Sequence, residues 1–207
     1  MARYLDVHPQ NPQHRALAQT AEALRAGAVI AYPTDSGFAL GTKLGNHEGL
    51  ERIKQIRQLD DKHNMTLVVS EFAQIGQYVE MSNPVFRAIK ANTPGGYTFI
   101  LRATREVPKV MQHPKKRTIG VRVPEHVTAL ALLDELGEPL MSASLILPGH
   151  DEAMDDGWQI KEALDKDIDL VIDSGDVINK PTTVIDFTID DAPVVVRLGA
   201  GDPTPFQ

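Results

Sequence analysis

The sequence predicts a single α/β domain built on a large, twisted mixed β-sheet with flanking helices. Three observations carry that prediction. Helix signals alternate with short apolar, strand-like runs from one end of the chain to the other. The last two strand-like runs are nearly adjacent, so they pair antiparallel and make the sheet mixed. No Ser/Gly-rich or Pro-rich linker divides the 207 residues, which are few enough to close around one core.

In chain order, residues 13–26 place Leu17, Ala21 and Leu24 on one helical face, and Gly27 stands where a left-handed glycine ends a helix. A buried strand follows over Ala28–Tyr32, then Pro33-Thr34-Asp35-Ser36-Gly37, then a strand over Phe38–Leu44. Asn46 caps a helix that carries Leu50 and Ile53, with Arg57 near its end. Thr66–Val69 is the next strand. Pro84, at a first helical position, opens a helix with Val85 and Ile89 inward, and Pro94 closes it. The segment Thr93-Pro94-Gly95-Gly96-Tyr97-Thr98 is a helix stop and tight turn into a strand over Tyr97–Leu101.

Beyond it, Thr118–Val123 is a strand, and Pro124-Glu125 starts a helix whose inward residues are Val127, Leu130, Leu133 and Leu136 before Gly137. On this reading His126 is a surface residue at the helix start. A strand over Leu140–Leu145, a weaker helix over 156–164 and strands over Leu170–Asp173, Thr183–Phe187 and Val194–Arg197 complete the set. The expectation is nine strands and about five helices, in one domain over 1–207 whose core is 13–199, with a short C-terminal tail.

Composition narrows the function. A 42% hydrophobic and 24% charged chain is an ordinary soluble protein. Residues 1–12 lack the basic and apolar regions of a leader, and no window offers the roughly 20 apolar residues that span a bilayer, so a cytoplasmic protein without a membrane partner is expected. With no cysteine, disulfides, thiolate metal sites and a cysteine nucleophile are excluded. A net charge of −7 repels polyanions, so nucleic acid would have to meet a local basic face. The candidates are Arg102, Arg105, Lys109 and the run Lys115-Lys116-Arg117.

No enzyme signature of the commoner kinds is present. Gly37-x-x-x-Gly41-Thr42-Lys43 has neither the spacing nor the residue order of a P-loop, and GxGxxG, HExxH and GxSxG do not occur. The seven histidines never fall at metal-ligand spacing on a helix. What remains is a set of hydroxyls and arginines at strand ends, where open α/β sheets bind ligands: Pro33-Thr34-Asp35-Ser36-Gly37, Thr118 to Arg122, Ser142-Ala143-Ser144, and Thr182-Thr183 with Arg197. Guanidinium forks suit phosphate and carboxylate, so Arg57, Arg122 and Arg197 point to a small anionic ligand.

These residues resemble the motifs of the YrdC-like family of threonylcarbamoyl-AMP synthases, and most of all its YciO branch. The resemblance spans nearly the whole chain. Residues 33–41, PTDSGFALG, stand for the family's PTDTVYGLG; Pro94-Gly95-Gly96-Tyr97-Thr98 stands for PGPLT; Val121-Arg122-Val123-Pro124 for VRxP; Ser142-Ala143-Ser144 for the start of STSAN; and residues 181–186 with Arg197-Leu198-Gly199 for PSTVVD…RxG.

The resemblance implies a twisted mixed sheet with a concave ligand cavity. It also implies an adenylyl transfer that joins L-threonine, bicarbonate and ATP into threonylcarbamoyl-AMP and pyrophosphate for the t6A modification of tRNA. Carried over, Thr34, Ser36, Arg122 and Ser142 would hold L-threonine. ATP would lie against Lys54, Arg57, Asn64, Thr118, Ser144, Thr182 and Arg197. Mg2+ would be bound through ATP, with no metal held by protein side chains and no catalytic side chain assigned. Lys115, Lys116 and Arg117 are the candidate contacts to tRNA or double-stranded RNA.

The chain departs from the family pattern at three places. The Lys of KxR is Gln55, with Lys54 displaced by one position; a histidine expected to touch threonine is Val69; and the Ala-Asn of STSAN is Leu145-Ile146. The alternative expectation is therefore a YciO-type RNA binder, or a nucleotide binder or hydrolase acting on a related adenylate.

Overall fold

The computed structural model describes residues 1–175 and 177–207. Eleven strands form one sheet: β1 (Arg3–Asp6), β2 (Ile30–Thr34), β3 (Gly37–Lys43), β4 (Thr66–Val68), β5 (Val79–Glu80), β6 (Tyr97–Ala103), β7 (Thr118–Arg122), β8 (Leu140–Ser144), β9 (Leu170–Asp173), β10 (Thr183–Asp186) and β11 (Val194–Arg197). Their spatial order is β1-β9-β2-β3-β8-β4-β7-β6-β10-β11, with β5 added beside β6. Parallel pairs (β1/β9, β2/β9, β4/β7, β6/β10) mix with antiparallel ones. The predicted antiparallel pairing of the last two strands is present.

Among the described residues, six α-helices flank the sheet: α1 (His14–Arg25), α2 (His47–Arg57), α3 (Phe72–Tyr78), α4 (Asn83–Ala91), α5 (Val127–Leu136) and α6 (Gly157–Ala163). Gly27 and Gly137 adopt φ of 96° and 75°, the left-handed values expected of helix-ending glycines. Asn46 caps α2 by accepting from the Gly49 N–H at 3.1 Å, and its amide also donates to Gly27 O and Thr42 Oγ1.

Strand alternation divides the side chains between two faces. One face is covered throughout, where Leu67, Phe99, Ile119, Val121, Met141 and Ile185 meet Leu50 and Ile53 of α2, Ile89 of α4 and Ile160 of α6. The other face is half covered. There Ile30, Tyr32, Val68 and Leu140 pack against Leu17, Ala21 and Leu24 of α1 and Leu132, Leu133 and Leu136 of α5. Among the described residues, neither α1 nor α5 packs on the β7-β6-β10-β11 side, so that half of the face is left without a covering helix.

Several expectations are corrected. β1, β5 and α3 were not legible. RYLD has no clear apolar alternation, Val79–Glu80 is two residues long, and α3 contains a glycine and buries only Ile75. Helix α5 begins at Val127 with His126 as its cap, two to three residues later than Pro124-Glu125 suggests. Because α5 packs on both α1 and the sheet, its buried set is Thr128, Ala129, Leu132, Leu133 and Leu136, while Val127 is 49% exposed and Leu130 half-buried. The packed unit also extends past residues 13–199 at both ends, with β1 in the sheet and Phe206 buried against Tyr97 and Phe99.

Candidate functional site

The hairpin from β2 to β3 builds the first part of the site. Thr34 faces Gly37 across the ladder, leaving Asp35 and Ser36 as the turn. Pro33 has no N–H to give, and it lies beyond Ala31, where pairing of β2 with β9 ends, so no ladder bond is lost. Thr34 Oγ1 donates to Gly37 O at 2.7 Å and accepts from the Ser36 N–H at 3.0 Å, which locks the turn.

Arg122, the last residue of β7 and only 7% exposed, reaches across to this turn. Its Nη1 donates to Ser36 Oγ at 2.8 Å and its Nη2 to Asp35 Oδ1 at 2.6 Å, while its Nε is buried without a partner. Ser142 joins the group through β2: its Oγ lies 2.8 Å from Tyr32 Oη and donates to Leu40 O at 2.8 Å. Burial pushes the Tyr32 phenol up to about 12, against the opposing Ser142 hydrogen bond and Arg122 charge, so the hydroxyl is neutral. His126, expected on the surface, is half-buried; its Nδ1 accepts from the Ala129 N–H at 3.4 Å. Burial holds its imidazole below the usual range, with the charge of Asp35 opposing and that of Arg122 adding to the shift.

The bare half of the sheet face forms a cavity of about 330 Å³. Thr66, Thr98, Ile100, Gly120 and Val184 line it from the strands, Ser144 and Ile146 from the end of β8, and Thr182, Val196 and Arg197 from the β10–β11 margin. Arg57, Lys62, His63 and Asn64 close it from the segment between α2 and β4. Gly120 keeps the floor low. A Cβ there would sit 2.9 Å from Thr66 Oγ1 and 3.2 Å from Thr98 Cγ2.

Arg57, Asn64, Ser144, Thr182 and Arg197, all predicted as nucleotide contacts, meet in this cavity. Arg57 Nη1 donates to Ser144 O, and its Nε is buried without a partner. Arg197 is tethered to Thr182, with Nε and Nη2 donating to Thr182 O at 3.1 and 2.9 Å. Thr118 stands behind the lining and donates to Asn64 Oδ1 at 2.8 Å.

Lys54 does not join them. Its Nζ lies 3.1 Å from Glu51 Oε1 and 3.0 Å from Asp61 Oδ1. One residue of displacement turns a side chain about 100° around a helix, here toward carboxylates instead of the cavity. Lys115, Lys116 and Arg117 are exposed and lie outside the lining, in a turn organised by His113 Nδ1, which accepts from the Lys115 and Lys116 N–H groups.

Two departures from the family pattern differ in weight. Val69 is fully buried in the core on the covered face, so its apolar side chain removes nothing from the cavity. Ile146 does line it, and presents an apolar wall beside Ser144. Sequence reasoning also missed Lys62, His63, Thr66 and Thr98. The signal for the threonines was the same alternation that sends Phe99 and Leu67 to the covered face.

The lining carries two arginines, a lysine and a histidine and no carboxylate, in a protein of net charge −7. Burial works against the charged forms of three of these groups. Burial lowers the pKa of Arg57. At Arg197 burial and then the charge of Arg122 lower it. Desolvation lowers that of His63, and Arg57 and Arg197 add to the effect while Asp60 opposes it. A bound anion would relieve all three.

Fold and site together define an α/β protein with a cavity lined by two arginines, a lysine and a histidine on the open half of a mixed sheet. The chain belongs to the Sua5/YciO/YrdC family, whose model, described as telomere recombination, matches residues 22–199. It is 50% identical over 206 residues to an uncharacterised protein of Escherichia coli K12, YciO, with all of both chains covered. The crystal structure of E. coli YciO superposes over the full length of both chains with a TM-score of 0.96. A threonylcarbamoyl-AMP synthase of Vibrio vulnificus is 29% identical over 159 residues, covering 75% of this chain and 84% of the synthase. The fold is shared with P. abyssi Sua5, crystallised in complex with L-threonine, at a TM-score of 0.86 and 24% identity over 95% of this chain and 57% of the Sua5 chain. Among the described residues, no helix is long and apolar enough to cross a membrane.

Proposed function

We propose that the protein is a nucleotidyltransferase of the threonylcarbamoyl-AMP synthase type, which binds MgATP in the cavity and a small carboxylate substrate at the adjoining Arg122 pocket. One observation carries the reading: a carboxylate-free cavity bounded by Arg57 and Arg197 opens beside a buried arginine held by Ser36 and Asp35, two residues along β7 from Gly120 of the cavity floor. The Vibrio relative named as a synthase and the Sua5 relative that holds L-threonine support the choice of substrates.

In this reading Ile100, Val184 and Val196 receive the apolar part of the nucleoside, and Arg57, Arg197, Asn64 and Ser144 meet its phosphates. The two buried, unpartnered Nε–H groups of Arg57 and Arg122 then acquire acceptors, which answers an otherwise costly pair of orphan donors. Since the lining offers no carboxylate to hold a divalent cation, Mg2+ enters as part of the substrate, on the phosphates. The amino nitrogen of L-threonine, held against Thr34, Ser36, Arg122 and Ser142, forms an N–C bond to the carbon of bicarbonate, and water leaves to give the carbamate. An oxygen of its carbamate attacks the α-phosphorus, a new O–P bond forms, and the α–β bridging bond breaks to release pyrophosphate. The side chains align two anions and offset charge that develops on the leaving group; no covalent intermediate on the protein is needed.

A second reading keeps the nucleotide and changes the carboxylate substrate. It is favoured by Ile146 in the cavity wall and by Arg122, whose guanidinium is already paired with Asp35. Contact with tRNA or double-stranded RNA through Lys115, Lys116 and Arg117 would use a surface outside the cavity and would have to overcome the net charge of −7.

The test is pyrophosphate release from purified protein with MgATP, bicarbonate and L-threonine. Threonine-dependent release is expected, and Arg122→Ala is expected to abolish that dependence while MgATP binding persists. No release above background from protein that binds MgATP removes the synthase reading and leaves the second one.

A further inference from the structure

Lys54, the lysine nearest in sequence to Arg57, is turned away from the cavity and held by two carboxylates. Among the described residues, a different lysine lines the cavity: Lys62, five residues after Arg57. Lys62 makes no ion pair within 4 Å among the described residues, whereas Lys54 is paired to both Glu51 and Asp61. We infer that Lys62 supplies the ammonium contact to the phosphates of the bound nucleotide, and that Lys54 has no direct part in binding it. The inference rests on the nucleotide reading above and names a phosphate contact that the family-pattern positions leave unfilled in this chain.

The segment that carries Lys62 is built to hold it in place. Gln58, at the end of α2, takes a left-handed φ of 51° and turns the chain back, with the Leu59 N–H returning to Lys54 O at 2.9 Å. Asp60 Oδ1 accepts from the Lys62 N–H at 2.9 Å, and Asp60 O accepts from the His63 N–H at 3.2 Å. These bonds close a tight turn between Arg57 and Asn64, both of which line the same cavity. The Lys54–Asp61 pair lies on the outer side of this turn, with the Asp61 side chain 82% exposed. The Lys54 side chain is 16% exposed, but a pair whose carboxylate is this open to water is largely screened, so its loss should disturb the turn only slightly. An ammonium facing a polyphosphate is a charge-assisted contact of greater weight.

The experiment is calorimetric titration of the full chain with MgATP, and with adenosine as a probe that has the base and sugar without phosphates. Lys62→Met is expected to weaken MgATP binding about tenfold, equivalent to about 1.4 kcal/mol, with adenosine affinity unchanged. Lys62→Arg should recover most of the loss, and Lys54→Met should change MgATP affinity by less than about threefold. An unaltered Lys62→Met affinity, a larger loss in Lys54→Met, or a parallel loss of adenosine binding each overturns the inference. Failure of the wild-type chain to bind MgATP is a separate outcome, seen before any variant is made. It overturns the nucleotide reading and this inference with it.

Discussion

Arg122 and Asp35 test whether the pocket beside the cavity is a stable part of the fold. Their side chains are 8% and 16% exposed and 2.6 Å apart, and Arg122 also holds Ser36 at 2.8 Å. Arg122→Met keeps the aliphatic bulk and removes both hydrogen bonds, leaving the Asp35 carboxylate poorly hydrated in the turn. Breaking a buried pair costs about 3–5 kcal/mol. The Asp35 side chain keeps 16% of its exposure, so the lower end, about 3 kcal/mol, applies. With a urea m-value of about 2–3 kcal/mol/M, the unfolding midpoint should fall by about 1–1.5 M. Asp35→Asn keeps an acceptor for Arg122 and should cost less. The double variant should be more stable than the sum of the single losses requires, with a coupling of about 2 kcal/mol. Equilibrium urea unfolding followed by circular dichroism measures all four corners of the cycle. A loss below about 1 kcal/mol in Arg122→Met, with no coupling to Asp35, would refute the idea that this pair is a buried structural unit.

Four further outcomes are expected. Gly120→Val should fill the cavity floor: its Cβ meets Thr66 and Thr98, so stability should drop by about 1–3 kcal/mol, and thermal stabilisation by MgATP should largely disappear. Asn46→Ala removes the cap of α2 and two further hydrogen bonds, and should cost about 1–2 kcal/mol in urea unfolding with the cavity side chains intact. His63 and His126 have pKa values depressed below the roughly 6.5 of the unfolded chain, so their contribution to stability is complete above that pH and is lost as pH falls through their folded values. Melting temperature should therefore decline from pH 7 toward pH 5. Polyphosphate binding should raise the pKa of His63, so titration near pH 6.5 in buffers of different ionisation enthalpy should show proton uptake; release of protons would contradict it.

Much of the architecture could be read from the chain because local signals agreed with global ones. The apolar runs marked nine of the eleven strands, and Asn46, Gly27 and Gly137 marked helix ends through their own side-chain or backbone preferences. Arg57, Arg122 and Arg197 stood out because a guanidinium fork suits phosphate and carboxylate. The elements that escaped notice are held by their neighbours. β1 exists because β9 offers it a parallel edge, and β5 because β6 does. At the site the same distinction holds. Thr98 and Thr66 look like ordinary strand threonines until the bare half of the sheet face is known. Lys62 looks like a solvated loop residue, because nothing in its immediate sequence says that the turn after α2 folds back over the sheet.

The cavity has one firm side and one yielding side. Gly120, Thr98 and Thr66 belong to strands bonded on both flanks, whereas Val196 and Arg197 belong to β11, which closes the strand order and, among the described residues, pairs only with β10. A last strand of this kind opens at lower free energy than the middle of the sheet. Any molecule that bridges Arg57 and Arg197 therefore fastens the loosest strand to the most rigid part of the domain. Occupancy should be legible as slowed deuterium uptake along Val194–Arg197, well before any change reaches the centre of the sheet.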